Sequence, residues 1–187
     1  MDFKTYSEKI DIASEIINNC SQFLKEVGLS QLYRGLYNTY GAVHTITPRE
    51  DRQPKDISVL THQRLNKAFK ELHGVKDIRS RSVFCSGSAS DVVEFGTPYV
   101  IYPVDGYTYW WSEKVYDLYS VMDEDGLMDA SYETIEAFID GKAYQNTGLL
   151  KAMASHSTPE IMLLCTKYYA VRTSNFTTLD TIRQDWK

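Results

Sequence analysis

The chain has 187 residues, of which 43% are hydrophobic and 24% charged, a composition that suits one globular domain with a core of its own. A net charge of −5 excludes a protein that tracks nucleic-acid backbones through a broad basic field. Three widely spaced cysteines, Cys20, Cys85 and Cys165, exclude a disulfide framework and a CxxC zinc motif, and they point to a reducing compartment.

Met1-Asp2-Phe3-Lys4 has no basic region leading into an apolar run, so no secretory signal is expected. Ile10, Ala13, Ile16, Ile17, Cys20, Phe23 and Leu24 recur at three- and four-residue intervals. They predict an amphipathic helix from about Tyr6 to Val27, stopped by Gly28. Gln31 to Tyr37 is a short apolar run with one charge, Arg34, and reads as a strand. Thr45 to Ser58 is polar, with Pro48, Pro54 and the group Arg49-Glu50-Asp51-Arg52, and reads as a long loop. Thr61 is the expected cap of a helix reaching His73, with Gly74 closing it.

Arg81 to Ser86 predicts a strand, and Ala89 to Phe95 a short helix with Ser88 as its cap and Gly96 at its end. Tyr99 to Tyr102 predicts another strand. Asp105-Gly106 signals a hairpin turn, which makes Tyr107 to Trp111 the expected partner strand. The rings of Trp110 and Trp111 are expected on opposite faces of it. Asp123-Glu124-Asp125-Gly126 reads as a surface turn, and Ser131 as the cap of a helix through Ile139 that ends at Gly141. Glu160 to Val171 reads as two strands, or a hairpin turning at Thr166-Lys167. This order predicts an α+β fold rather than an alternating parallel sheet. No apolar stretch reaches the roughly 20 residues that a bilayer span needs, so no membrane contact is expected.

The chain contains no G-x-G-x-x-G, P-loop, H-E-x-x-H or G-x-S-x-G motif. His44, His62, His73 and His156 are scattered, so no metal site is expected. Three segments remain. Tyr33-Arg34-Gly35 lies on a strand. Val83-Phe84-Cys85-Ser86-Gly87-Ser88 is a strand end rich in hydroxyls, leading to Phe95. Glu160 opens the apolar run Ile161-Met162-Leu163-Leu164.

In that order the segments resemble the arginine-serine-glutamate class of mono-ADP-ribosyltransferases, which includes clostridial-type toxins, vertebrate ecto-enzymes and bacteriophage transferases. The resemblance spans Tyr33 to Val171. It implies an ADP-ribosyltransferase-like α+β fold: one domain over residues 1–187, two small packed antiparallel sheets, and a helical segment over about 1–30. It also implies NAD as substrate, with Glu160, Ser86 and Arg34 as the catalytic set. Contacts to NAD would come from Arg34, Gly35, Ser86, Ser88, Phe95 and Tyr107, with Trp110 as a further ring for the nicotinamide.

These roles agree with the chemistry. Cleaving the nicotinamide–ribose bond builds positive charge on the ribose, which a carboxylate at Glu160 stabilises. The planar fork of Arg34 suits a pyrophosphate, and the Ser86 hydroxyl both donates and accepts. The resemblance implies a macromolecular acceptor, a protein or a nucleic acid, and a cytoplasmic effector such as a phage protein acting on its host. Arg79 and Arg81 offer a local basic patch for a nucleic acid. Gly87 stands where the family usually has Thr. Thr158 stands two residues before Glu160, where arginine-modifying members carry a second Glu, and this implies an acceptor other than arginine. Plainer readings are a surface cation at Arg34, a helix cap at Ser88 and a solvated charge at Glu160. The functional alternatives are a non-catalytic binding or inhibitor protein of the same fold, and an NAD glycohydrolase.

Overall fold

The strands expected around Arg34 and after Glu160 fall into two different antiparallel sheets in the computed structural model, which describes residues 12–37 and 40–186. In chain order the first elements are α1 (residues 12–19), α2 (Ser21–Val27), β1 (Tyr33–Leu36), β2 (Val43–Ile46), α3 (Val59–His73), α4 (Ile78–Arg81) and β3 (Val83–Cys85). A 3-10 helix (Ser90–Phe95) follows, then β4 (Thr97–Pro103), β5 (Thr108–Trp110), α5 (Leu118–Glu124) and α6 (Tyr132–Gly141). The last are α7 (Leu149–Ala154), β6 (Ile161–Leu164), β7 (Tyr168–Arg172) and α8 (Phe176–Asp185). With helices and two small antiparallel sheets, the fold class is α+β. The chain divides into two compact units, one of residues 1–47, 86–107 and 165–187, the other of residues 48–85 and 108–164.

The first unit carries the sheet β1-β4-β7-β2, antiparallel throughout. The part of the expected first helix before residue 12 lies outside the described residues. The rest is stepped at Cys20, whose φ of −119° leaves helical geometry. The hydrogen-bond ladder still runs through the step, since Cys20 N donates to Ile16 O and Leu24 N to Cys20 O. Ala13, Ile16, Cys20, Phe23 and Leu24 form the buried stripe that their spacing predicts.

Asp105-Gly106 does not close a hairpin. The Asp105 carboxylate instead accepts from Gln22 N and Ser21 Oγ, both at 2.8 Å, and Gly106 N donates to Gln22 Oε1 at 2.9 Å. The Gln22 N–H and the Ser21 hydroxyl at the start of α2 take the aspartate, and its charge suits that helix end. β4 therefore pairs with β1 and β7, while β5 pairs with β6. Two short β strands occur between Glu160 and Arg172, as expected, but they belong to different sheets and form no hairpin. Inside the expected 45–58 loop, Thr45 and Ile46 belong to β2, which pairs with β7 at the sheet edge.

The second unit carries the sheet β3-β6-β5. Ile161, Met162 and Leu163 of the central β6 are fully buried. Leu65 and Phe69 of α3, Met122 of α5, Ile135 and Ile139 of α6, and Met162 share one core. The cap of α3 is Ser58, not Thr61: its hydroxyl accepts from Thr61 N at 3.0 Å, the reach of an N-cap to the third residue. Ser131 caps α6 as expected, accepting from Thr134 N. Arg81 ends α4 rather than opening β3. Asp123 and Glu124 form the last turn of α5, which Asp117 caps through Ser120 N at 2.7 Å. Trp111 is fully buried and Trp110 half-buried. No helix among the described residues is long and apolar enough to cross a membrane.

The tightest constraint in the first unit is at Gly35. A Cβ there would lie 2.3 Å from Val92 O and 2.6 Å from the Phe95 carbonyl carbon, so only glycine lets β1 touch the backbone of the 3-10 helix. Gly35→Ala is expected to lower stability by about 1–3 kcal/mol, the usual cost of overpacking. Gly141→Ala, where an added methyl meets nothing within 4 Å, serves as the comparison. Urea unfolding reads both; an unchanged midpoint for Gly35→Ala would mean that the helix yields freely.

Candidate functional site

Five of the expected site residues fall close together in the first unit. Tyr33 N donates to Ser86 O at 2.8 Å, and Ser86 N to Tyr33 O at 3.0 Å. That bridge sets the strand of Arg34 and Gly35 beside the turn holding Ser86 and Ser88. Phe95 joins them through its carbonyl, which packs on Gly35. Arg34 is half-buried. Its positive charge opposes the burial that pushes the Cys165 thiol up to about 12.

Ser86 is buried, and its hydroxyl is already engaged. It donates to Asp91 Oδ2 at 2.7 Å and accepts from Ser88 N at 3.1 Å. A serine has one proton to give, so toward any further group Ser86 is an acceptor only. Ser88 does not cap the following helix. Ala89 holds that position without a side-chain bond, and the Ser88 hydroxyl meets Ser90 Oγ at 2.7 Å.

The three aromatic candidates differ sharply. Phe95 is half exposed, at 52%. Tyr107 is buried, edge-on to Phe23 at 6.0 Å, with its hydroxyl donating to Glu26 Oε2 at 2.5 Å. It is therefore a packing residue of the unit that holds α2. Trp110, in the second unit, lies 4.7 Å from the His73 ring, tilted by 40°.

Glu160 belongs to the second unit, where it immediately precedes β6 and its N–H donates to Val115 O at 3.1 Å. It is not a solvated charge: its side chain is 11% exposed, and Arg79 Nη1 donates to Oε1 at 2.5 Å. Burial pushes the carboxyl above its ordinary range, Arg79 and Arg52 pull it back, and Asp117 adds to the rise. The Tyr144 hydroxyl is buried with no hydrogen-bond partner among the described residues; burial and the Glu160 charge push its pKa up. Two residues before Glu160, Thr158 has a φ of 42°, left-handed geometry that a β-branched residue rarely adopts.

Arg79 is the residue that sequence reading assigns to a surface patch and the structure assigns to Glu160. Eighty-one positions separate the two, and no local pattern links them. Among the described residues, no three His, Cys, Asp or Glu side chains converge as metal ligands would. Comparison of the chain with protein-family models, curated proteins and solved structures returned no match.

The raised carboxyl of Glu160 has a consequence for stability. The folded state holds this proton more tightly than the unfolded state, so the contribution is fully present below the unfolded pKa and is lost as pH rises through the folded one. Relative to Glu160→Gln, the parent is expected to lose stability as pH climbs from about 4 toward neutrality. Urea midpoints of both proteins across that range test this, and parallel curves would show an unperturbed carboxyl.

Proposed function

We propose that the protein transfers ADP-ribose from NAD to a macromolecular acceptor. The bond between nicotinamide nitrogen and ribose C1′ breaks, nicotinamide leaves with the bonding pair, and an acceptor nucleophile bonds to C1′ and gives up its proton. Glu160 is the carboxylate that offsets the positive charge on the ribose. Arg34 binds the pyrophosphate through its fork. Ser86, whose hydroxyl donates to Asp91, accepts from a ribose hydroxyl.

One observation carries this reading: backbone pairing sets the Arg34 strand beside Ser86 in one unit, and the strand after Glu160 beside the strand before Ser86 in the other. Within the first unit, the strand of Arg34 is bridged to Ser86. Within the second, β3, which ends one residue before Ser86, pairs with β6, which starts one residue after Glu160, and Cys85 faces Ile161 in the register. The deep burial of Glu160 adds support, because electrostatic stabilisation is strongest where water is excluded.

Incubation with labelled NAD, with and without cell lysate, tests the reading. Label on macromolecules with nicotinamide release supports transfer; release alone supports a glycohydrolase, and neither supports a binding protein. Glu160→Gln is expected to retain NAD binding and to lose roughly a hundred- to a thousandfold in turnover. Turnover at the parent rate would remove Glu160 from the chemistry.

Phe95 is the ring for the nicotinamide, since it is the exposed one of the three aromatics. Phe95→Ala is expected to weaken NAD binding about tenfold, in line with about 0.5–1.5 kcal/mol for a ring pair beyond its area burial. Tyr107→Phe is expected to leave NAD affinity alone and to lower stability through the lost bond to Glu26. Calorimetry with NAD and thermal melts separate the two, and a reversed pattern would exchange the assignments.

The acceptor is not an arginine side chain. A guanidinium stays cationic at neutral pH, and the neutral Thr158 cannot hold or activate it as a carboxylate would. Mass spectrometry of modified lysate maps the linkage. ADP-ribose found mainly on arginine would overturn this assignment.

A further inference from the structure

Arg79 is held from several sides before it reaches Glu160. Its backbone N–H donates to Asn66 Oδ1 at 2.8 Å, which ties α4 to α3. Its guanidinium carbon lies 4.4 Å from the centre of the Phe84 ring on β3, and Nη1 also lies 3.6 Å from Met162 Sδ on β6. Ser80, the next residue, meets His62 Nε2 at 2.9 Å and accepts from Asn66 Nδ2 at 3.1 Å. The side chain is 13% exposed. A cation fixed by an aromatic face, a sulfur and a braced backbone has little freedom left to lose.

We propose that Arg79 is the positioning residue of Glu160: it takes Oε1 of the carboxylate and thereby presents Oε2 to the ribose of NAD. This role rests on the transfer reading given above. The charged and titratable groups facing the carboxylate come from four elements. Arg79 is on α4, Arg52 precedes α3 and lies over the Phe84 ring at 4.5 Å, Asp117 caps α5, and Tyr144 follows α6. Two cations oppose the desolvation and one carboxylate reinforces it. Of these, Arg79 touches Glu160 directly, its Nη1 donating to Oε1. It does two things at once: it favours the ionised carboxyl that the reaction needs, and it fixes which edge of that carboxyl turns outward.

The test uses the full chain as parent, Arg79→Lys and Arg79→Met. Two measurements are made: the Glu160 carboxyl carbon is titrated by NMR without NAD, assigned through Glu160→Gln, and nicotinamide release is followed against pH. In Arg79→Met the Glu160 titration and the acid limb of kcat/KM are both expected to move up by about one pH unit or more, the effect of losing an adjacent opposite charge. Arg79→Lys keeps the charge and so protects the fold. Its acid limb is expected near the parent's, while kcat falls by up to about a hundredfold because an ammonium lacks the planar fork. If Arg79→Met does not fold, the Lys variant decides alone: parent kcat overturns the proposal. A parent that turns NAD over with an unmoved acid limb in Arg79→Met overturns the positioning role alone. A parent that releases no nicotinamide overturns the transfer reading, even where the titration shift establishes the ion pair.

Discussion

The carbonyl oxygen of Val92 occupies the space in which any other residue at position 35 would place its side chain. Much of the first unit's candidate chemistry depends on that backbone contact. With β1 seated against the 3-10 helix, Tyr33 meets the Ser86 backbone, the Ser86 turn closes on Asp91, and Phe95 ends the helix with its ring outward. Gly96 repeats the constraint from the other side: its φ of 117° and a virtual Cβ 2.6 Å from the Leu36 carbonyl exclude a side chain there as well. A pair of glycines therefore sets the spacing between an arginine-bearing strand and the 3-10 helix that follows the hydroxyl-bearing turn, a spacing that side-chain packing could not make so short.

In the second unit the governing force is electrostatic. A buried ion pair is a weak source of stability, because desolvating both charges offsets most of their attraction. Its worth lies in orientation. Arg79 and Glu160 are placed by elements that also build the core: α4 through Ile78, β6 through Met162, and β3 through the Phe84 ring. The carboxylate inherits the rigidity of that core while keeping a raised affinity for its proton. A carboxyl held this way acts from a fixed position, as the proposed charge stabilisation requires, while burial works against its ionised form and Arg79 works for it.

Local signals in the sequence were reliable where the determinant was itself local. The helix ended by Gly74, the Ser131 cap and the short helix ended by Gly96 follow from residues within a few positions of one another. The failures share a cause of the opposite kind. Asp105-Gly106 carries a hairpin signature, yet its carboxylate is taken by a helix start more than eighty positions earlier. β2 hides in a polar stretch because an edge strand paired to β7 needs little apolar character. Arg34, Ser86 and Glu160 stand out in the sequence through their strand context, whereas Arg79 does not, since its meaning comes from a partner 81 positions away. Among the aromatics, sequence could nominate Phe95, Tyr107 and Trp110 but not rank them, because burial alone separates them.

The interleaving of the two units bears on how the chain is made. Synthesis proceeds from the N-terminus, and domains form as their residues emerge. All residues of the second unit have been polymerised once Leu164 is added. The first unit contains α2 and β2, made far earlier, but the N-terminus of α2 waits for Asp105 and the edge of β2 waits for β7. Since β7 stands between β4 and β2, β2 stays without its neighbouring strand until residues 168–172 leave the ribosome, whereas β1 can pair once β4 is made. β2, translated before β4 and β7, is thus among the last strands of its sheet to be paired, and a nascent chain halted before Tyr168 would carry the Arg34 strand in an unfinished sheet.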